Sequence, residues 1–549
     1  MRSVWLLVCI AALVAPGELA AQNAGASPAA QQPAVVMVAA ATTASTDDGK
    51  GKQKLGESTK PRKKIEQTGR PEESHSKSRL SNKPVPLLKE HVQLPERNPP
   101  IVEWNLPFLG PGNIISGFKT PTGAVWQPAF WVFGDFQTSA GAFNDGVNPG
   151  RQYVSAAANI FGNLQLTPTE RVVIGFTPLS QGSNLGTGLL HVDGQGTSFV
   201  NALNPNIQTL FFEGDTRQLF PGIDSNDRNG LDFGFAIGRQ WITFQEGIMI
   251  NDNIQALGIT KDTIQIPGLT QDLRITGLYG WSDIRRNDTF PDHSAYLLAI
   301  FSEMDLRKSI VTFDFAYLGS DNPTDPFGVQ RGGSGVFFGT SATQRFGALN
   351  TAFRINTSTA LDGTGTAMDN GVLFLAELSR TMPSSTNIIY ANFFATAGDY
   401  TSAARSAQVG GPLERVGILF TPLAAGLAGS PIPGDANRAF GGALGYQMFF
   451  GPRNQLTLEL GGKVGKEQVN GIQMVTDPID LNLIPPGLQT LVLGRELTSL
   501  VNQSEIALGG QYMYAITSRT SVQANAFVLD HESGGGFGWG LAVGTRTRW

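Results

Sequence analysis

From about residue 125 to the C-terminus, apolar positions alternate one for one with polar or small ones in repeated short runs. Val172, Ile174 and Phe176 alternate with Val173 and Gly175; Leu231, Phe233, Phe235 and Ile237 with Asp232, Gly234 and Ala236; Val311, Phe313, Phe315 and Tyr317 with Thr312, Asp314 and Ala316. Leu456, Leu458 and Leu460 stand against Gln455, Thr457 and Glu459, and Ile506, Leu508, Tyr512, Tyr514 and Ile516 against small or polar neighbours. Side chains on a strand point alternately to its two faces, so each run predicts a β-strand with one greasy face. The last nine residues repeat the pattern: Leu541, Val543, Thr545, Thr547 and Trp549 share one face, and Ala542, Gly544, Arg546 and Arg548 the other. Ending mid-strand on a large aromatic fits a transmembrane barrel, whose final strand pairs with its first and whose aromatics sit at the membrane interface. Leu541, Val543 and Trp549 are therefore the candidate signal for a barrel assembly machinery.

The N-terminus points to the same compartment. Arg2, the apolar stretch 4–14 and Leu19-Ala20-Ala21 read as a secretory signal peptide over residues 1–21. The sole cysteine, Cys9, falls inside it, so the exported chain would carry no thiol. No later segment approaches the roughly 20 apolar residues of a membrane helix. Without such helices only a closed barrel can span lipid. The expected fold is all-β, a transmembrane antiparallel β-barrel in the Gram-negative outer membrane, with a secreted solenoid or sandwich as the soluble alternative.

Composition fits strands with one greasy and one wet face: 66 glycines, 15% charged residues and a mean hydropathy of -0.07. Residues 22–100 are a different polymer, rich in Ala, Ser, Lys, Gln and Pro, with the basic run Lys60-Pro-Arg-Lys-Lys64 and almost no aromatics. Such a segment cannot bury enough surface to fold and is expected to be a disordered periplasmic tether. It holds 13 Lys+Arg against 8 Asp+Glu, a net of +5, whereas residues 101–549 hold 26 against 36, a net of -10. The basic arm suits either contact with anionic cell-wall polymer or a solvated spacer. Nothing points to a nucleic acid. Trp126, Phe130, Trp131, Phe133 and Phe136 then mark entry into the membrane region, and the barrel is assigned to residues 101–549.

Connections come in two kinds. Thr167-Pro-Thr-Glu170, Gly451-Pro-Arg-Asn454 and Thr517-Ser-Arg-Thr520 read as tight turns, and the stretches 319–344, 398–412 and 463–502 as long loops. Short turns at one end and long loops at the other is the outer-membrane arrangement, and strands of about 9–11 residues give about 16–18 of them. A barrel that wide leaves a watery lumen unless a loop enters it. An inward-folded loop is expected to set the aperture.

The segment from Asn229 to Ile250, NGLDFGFAIGRQWITFQEGIMI, resembles a strand of large porin-like outer-membrane barrels, including alginate-export-type proteins, in which Gly-Arg-Gln precedes an apolar stretch and an acid. The resemblance implies a channel with Arg239, Gln240 and Glu246 approaching the lumen. Simple alternation from Leu231 instead puts Arg239 on the lipid face, so either a bulge near Gly238 resets the register or Arg239 snorkels at the interface. An exporter of anionic polysaccharide is expected to line its pore with arginines, whereas this barrel's balance is acidic.

Parity supplies the other lumen candidates. Asp232, Arg274, Asp314, Glu377, Glu459, Arg546 and Arg548 sit opposite apolar neighbours, and an Arg or Lys facing lipid at the midplane costs about 2–4 kcal/mol. With Arg239 and Glu246 they form the expected pore lining, favouring cations modestly if acids hold the constriction. Cross-linking of the wall is the plainer reading of each one alone. Asp224-Ser-Asn-Asp-Arg-Asn-Gly230 has the oxygen-rich opening of a calcium loop, but Phe235 stands where the bidentate Glu belongs, which suits a polar turn. The five histidines lack zinc spacing. Asp530-His-Glu-Ser533 offers a base for a barrel hydrolase without an identifiable partner.

The expected function is a porin-like channel for passive diffusion of small hydrophilic solutes, needing no cofactor, metal or catalysis. A non-conducting structural or adhesion barrel, a polysaccharide exporter and a hydrolase are the alternatives. Outer-membrane lipid is the expected surroundings, and a homotrimer is a common state of such pores.

Overall fold

A computed structural model describes residues 98–549 apart from 111–115, 145–149, 180–187, 194–195, 200–204, 224–229, 322–323, 326–327, 407–408, 423–429, 466–503 and 532–536. The signal segment, Cys9, the tether to residue 97, the body of the calcium-like segment and most of the long stretch 463–502 lie outside the described residues. So do Glu532 and Ser533 and the side chain of His531.

A short strand β1 (Val102–Trp104) and a small hairpin, β2 (Phe118–Lys119) with β3 (Val125–Trp126), precede the wall. The wall opens with β4 (Ala129–Asn144) and β5 (Arg151–Gln165). Two interrupted strands follow: β6 (Arg171–Phe176) continued by β7 (Gly188–Asp193), and β8 (Gly196–Phe199) continued by β9 (Ile207–Asp215). Next come β10 (Gly234–Phe244), β11 (Ile250–Ile264) and β12 (Asp272–Trp281). A loop hairpin of β13 (Ile284–Arg285) and β14 (Pro291–Asp292) separates these from β15 (Tyr296–Asp305), β16 (Ser309–Gly319), β17 (Gly335–Phe346), β18 (Leu349–Ala360), β19 (Gly371–Thr381) and β20 (Ile388–Tyr400). The loop after β20 carries β21 (Ala404–Arg405) and β22 (Ala436–Asn437), and the wall ends with β23 (Ala439–Phe449), β24 (Asn454–Gly465), β25 (Glu505–Ala515), β26 (Thr520–His531) and β27 (Gly538–Arg548).

Sequential antiparallel pairing runs round the wall, and β27 closes it on β4 from Trp539↔Asn144 to Arg548↔Asp135. Counting each interrupted strand once, the barrel has 18 strands. The alternation decides which face is which: Leu541 is 53% exposed and its neighbour Ala542 4%. Ile237, Ile259, Leu298, Ile300, Phe313, Phe315, Phe353, Ile355, Phe374, Leu458 and Leu508 are likewise exposed on the outside, forming an apolar belt suited to lipid. Asp314, Asn356, Asn392, Thr457 and Glu459 turn inward. The three tight turns sit at the end of the barrel that holds β1 and Trp549, and the described part of the loop after β20 at the other.

Two expectations need correction. The stretch 319–344 is loop only to Ser334, because Gly335–Phe346 forms β17. Its Gly and Ser residues read as turn chemistry but form the inward face: a side chain at Gly339 would collide with Gln245, Met249 and Asn356, each 2.8 Å from its Cβ position. Asp232 lies ahead of β10 rather than on a strand, its carbonyl held by Lys261 Nζ at 2.8 Å.

Candidate functional site

The turn between β10 and β11 folds into the lumen instead of reaching outward. Gln245 (φ 51°), Glu246 (φ 55°) and Gly247 (φ 88°) all occupy left-handed backbone, which costs roughly 1–2 kcal/mol at each non-glycine residue. Surrounding bonds hold it there. Gln245 Nε2 donates to Asp314 at 2.6 Å and to Thr312 at 2.8 Å across the lumen face of β16. The carbonyl of Ile248 accepts Ser402 Oγ at 2.7 Å and Tyr400 Oη at 3.3 Å. Ile248, Met249 and Ile250 are fully buried, and Glu246 is left as the exposed tip.

The second element is the loop 401–438, which leaves β20, crosses the interior and returns at β23. On the far side β21 lies parallel to the start of β11, with Ala404 opposite Ile250 and Arg405 opposite Asn251. The buried Arg405 guanidinium donates to the carbonyls of Gly247 and Ile248, stitching this loop to the inward turn. Burial lowers its pKa, with Glu414 the strongest compensating charge. On the near side Glu459 of β24 accepts the backbone N–H groups of Ile418 at 3.0 Å and Leu419 at 2.9 Å, and the Tyr390 hydroxyl. Lys463 Nζ donates to the carbonyls of Pro433 at 3.1 Å and Asp435 at 2.8 Å. Val416, Leu419, Phe420 and Ile432 pack against the inward Phe394, Ala443, Ala507 and Phe527. The loop is thus bonded to both sides of the wall, and it carries a half-buried Glu414 whose pKa burial pushes up to about 7 against the pull of Arg405 and Arg415.

Between turn, loop and wall lie four charges of alternating sign. Arg354 of β18 and Glu377 of β19 face inward from neighbouring strands, 3.0 Å apart. Arg415 from the loop reaches Glu246 at 3.0 Å and Glu377 at 3.6 Å, while Arg354 reaches Glu246 at 4.0 Å. The wall pair is mostly enclosed (side chains 7% and 19% exposed), whereas Glu246 and Arg415 are 52% and 39% exposed and face the water of the lumen. Both signs lie within contact distance of one another, so the quartet carries no net charge.

Of the sequence candidates, the fold brings together Glu246 and Glu377. Arg274 faces Glu303 at 3.7 Å nearer the chain-terminal end, and Arg546 pairs with Asp135 at 2.9 Å, with Arg548 on the same inner face. Asp314 and Glu459 are inward and buried, but they hold the turn and the loop. Arg239 is corrected. The β9 and β11 ladders run through Gly238 without a register shift, placing Arg239 beside Leu210 and Gln255 and in step with the exposed Ile237. Gly238 (φ 128°) absorbs the local twist, since a Cβ there would meet the Leu210 carbonyl. Arg239 reaches Asp283 at 3.7 Å, at the level of Trp281 where the outer face turns polar, which is the snorkelling position. The acids brought together here, Glu246 and Glu377, are each matched by an arginine.

Arg354, Arg405 and Arg415 were not among the candidates. Arg354 was readable from parity, standing between the outward Phe353 and Ile355. Arg405 and Arg415 lie in a loop with no period to read.

No protein-family model matches the chain, and no curated protein matches it. Among solved structures it is similar to a BenF-like porin from Pseudomonas fluorescens Pf-5, at 9% identity over 76% of this chain and 98% of that one with a TM-score of 0.47. OccK11 (OpdR) of Pseudomonas aeruginosa gives 9% identity over 79% and 98% with a TM-score of 0.44. OccK5 (OpdH) of the same organism gives 10% over 76% and 98% with 0.42. The first of these is a porin by its description, and none of the three is described as an alginate-export protein.

Proposed function

We propose that this chain is an outer-membrane channel through which small hydrophilic solutes diffuse passively, with the Glu246–Arg354–Glu377–Arg415 quartet as its narrow point. The observation that carries this reading is the eyelet itself: two water-exposed charges of opposite sign set inside a closed, lipid-belted cylinder. A purely structural barrel has no need to spend an inward, left-handed turn on presenting an exposed glutamate to an arginine. Diffusion past such a ring needs no chemistry, and discrimination comes from width and field. Polysaccharide export is disfavoured by the lumen charges, since Arg274, Arg354 and Arg546 each face an acid.

Residues 1–21 then serve as the export signal and 22–100 as a periplasmic tether acting as spacer or cell-wall contact. Leu541, Val543 and Trp549 serve as the signal to the assembly machinery, and trimerisation is compatible with this reading. Purified protein in a planar bilayer tests it. Discrete ohmic steps are expected; a correctly folded, heat-modifiable protein that stays silent would overturn the channel in favour of the structural barrel.

A further inference from the structure

The wall has a defect at its seam, and β1 fills it. The C-terminal strand stops at Trp549, which exchanges both backbone bonds with Gly134. Below that point the β4 residues Phe130, Trp131 and Val132 would face the seam with unpaired backbone. β1 takes the vacant place: Val102 pairs with Val132, Glu103 with Trp131 and Trp104 with Phe130, and Ile101 N–H donates to the Val132 carbonyl at 2.9 Å. The approach is fixed from the side of β27, at the β25–β26 turn, where Asn98 accepts the Ser518 hydroxyl at 3.0 Å and the Pro99 carbonyl accepts Arg519 at 3.1 Å.

The outer face of this added strand is apolar and uncovered. Val102 and Trp104 are 43% and 56% exposed, while Glu103 turns to the other side and accepts the Phe108 N–H at 2.9 Å. The register carries that face into the lipid belt without a break. One row runs from Trp104 through Phe130, Leu164, Val172 and Phe212 to the exposed Ile237. Another runs from Val102 through Val132, Gly162 and Ile174 to the exposed Leu210.

We infer that β1 is a membrane-embedded extension of the wall, whose outer face contacts the lipid leaflet on the chain-terminal side and anchors the preceding N-terminal segment at the barrel seam. The occupant of the face is lipid because the rows it continues are covered by lipid. Trp104, at the bottom edge, sits where an aromatic ring bridges acyl chain and headgroup, and the β1–β4 bonds remove an open sheet edge that lipid does not tolerate.

The test uses the full chain with Cys9, its only native cysteine, replaced (Cys9→Ser), and bimane attached to Val102→Cys, Glu103→Cys or Trp104→Cys. Each is reconstituted in phosphatidylcholine vesicles with or without 5-doxyl phosphatidylcholine, and folding is checked by heat-modifiable migration. Doxyl quenching at 102 and 104 at least about twofold stronger than at 103, with iodide quenching in the opposite order, is expected for a lipid-facing strand. Equal doxyl quenching at the three positions, or iodide quenching without doxyl quenching at 102 and 104, overturns the inference. Cross-linking between copies through position 102 without doxyl quenching overturns it in favour of a second copy as the occupant. Because none of these readouts is a current, a silent channel would not imitate any of them.

Discussion

At the scale of single residues, two members of the quartet proposed as the narrow point carry little of the fold. Glu246 and Arg415 are the exposed members, so neutralising either changes stability by about 0.5 kcal/mol or less. Glu246→Gln leaves Arg354 and Arg415 facing Glu377 alone, and the reversal potential in a salt gradient is expected to move toward the anion. Arg415→Gln is expected to move it toward the cation; shifts of the same sign in both variants would remove the quartet from the permeation path. Gly417 acts differently, through space rather than charge. A Cβ at that position would run into both carboxylate oxygens of Glu459, which hold the N–H groups of Ile418 and Leu419. Gly417→Ala is expected to weaken the docked loop by about 1–3 kcal/mol, the cost of leaving buried partners unsatisfied, read as larger and noisier single-channel currents. Unchanged currents would show that Glu459 does not hold the loop.

At the scale of elements, the described part of the loop 401–438 is held in place by bonds to the wall and to the inward turn. Its weak point is Glu414, whose pKa rises from an ordinary 4.5 to about 7 on burial. The docked loop therefore binds more protons than the undocked one between those values, and docking is strongest below pH 4.5 and falls as pH rises toward about 7. Hydrogen exchange at the amides of Val416 and Leu419, corrected for intrinsic rates, should show protection declining across that window. Glu414→Gln should flatten the profile, and an unchanged slope in that variant would assign the dependence elsewhere. The neighbouring loop between β12 and β15 is held by a different device: Arg285 pairs with Asp252 at 2.8 Å, and Arg331 from the β16–β17 loop pairs with Asp288 at 2.8 Å. These enclosed pairs join loop to wall and loop to loop.

At the scale of the whole molecule, the two faces answer to different solvents. Phe315, mid-strand on the outside of β16, is exposed to lipid, while its neighbours Asp314 and Ala316 are inside and buried. Phe315→Arg is expected to cost about 2–4 kcal/mol in urea refolding into liposomes. A cost near zero would mean that this face is not in the membrane. The upper lumen is filled by loops whose apolar residues, such as Leu419 and Phe420, meet inward Phe394 and Phe527. The lower lumen keeps polar inward residues such as Gln523 and Asn525.

The sequence by itself determined the cylinder. Alternation at Phe313 and Phe315 or at Leu541 and Val543 reports a strand lying between oil and water, because side-chain direction on a strand depends only on the neighbouring residue's parity. That rule also set the inward faces of Glu377, Glu459 and Arg546. It also placed Arg239 on the outer face, where the likeness to porin-like strands had implied the lumen; it failed in β17, where inward glycine and serine imitate a loop. The eyelet was decided by tertiary structure alone. Glu246 and Arg415 are far apart in the chain and lie in segments without a period, and they meet only because Arg405, Glu459 and Gln245 hold a turn and a loop inside the barrel. Such long-range bonds leave no periodic mark on either partner.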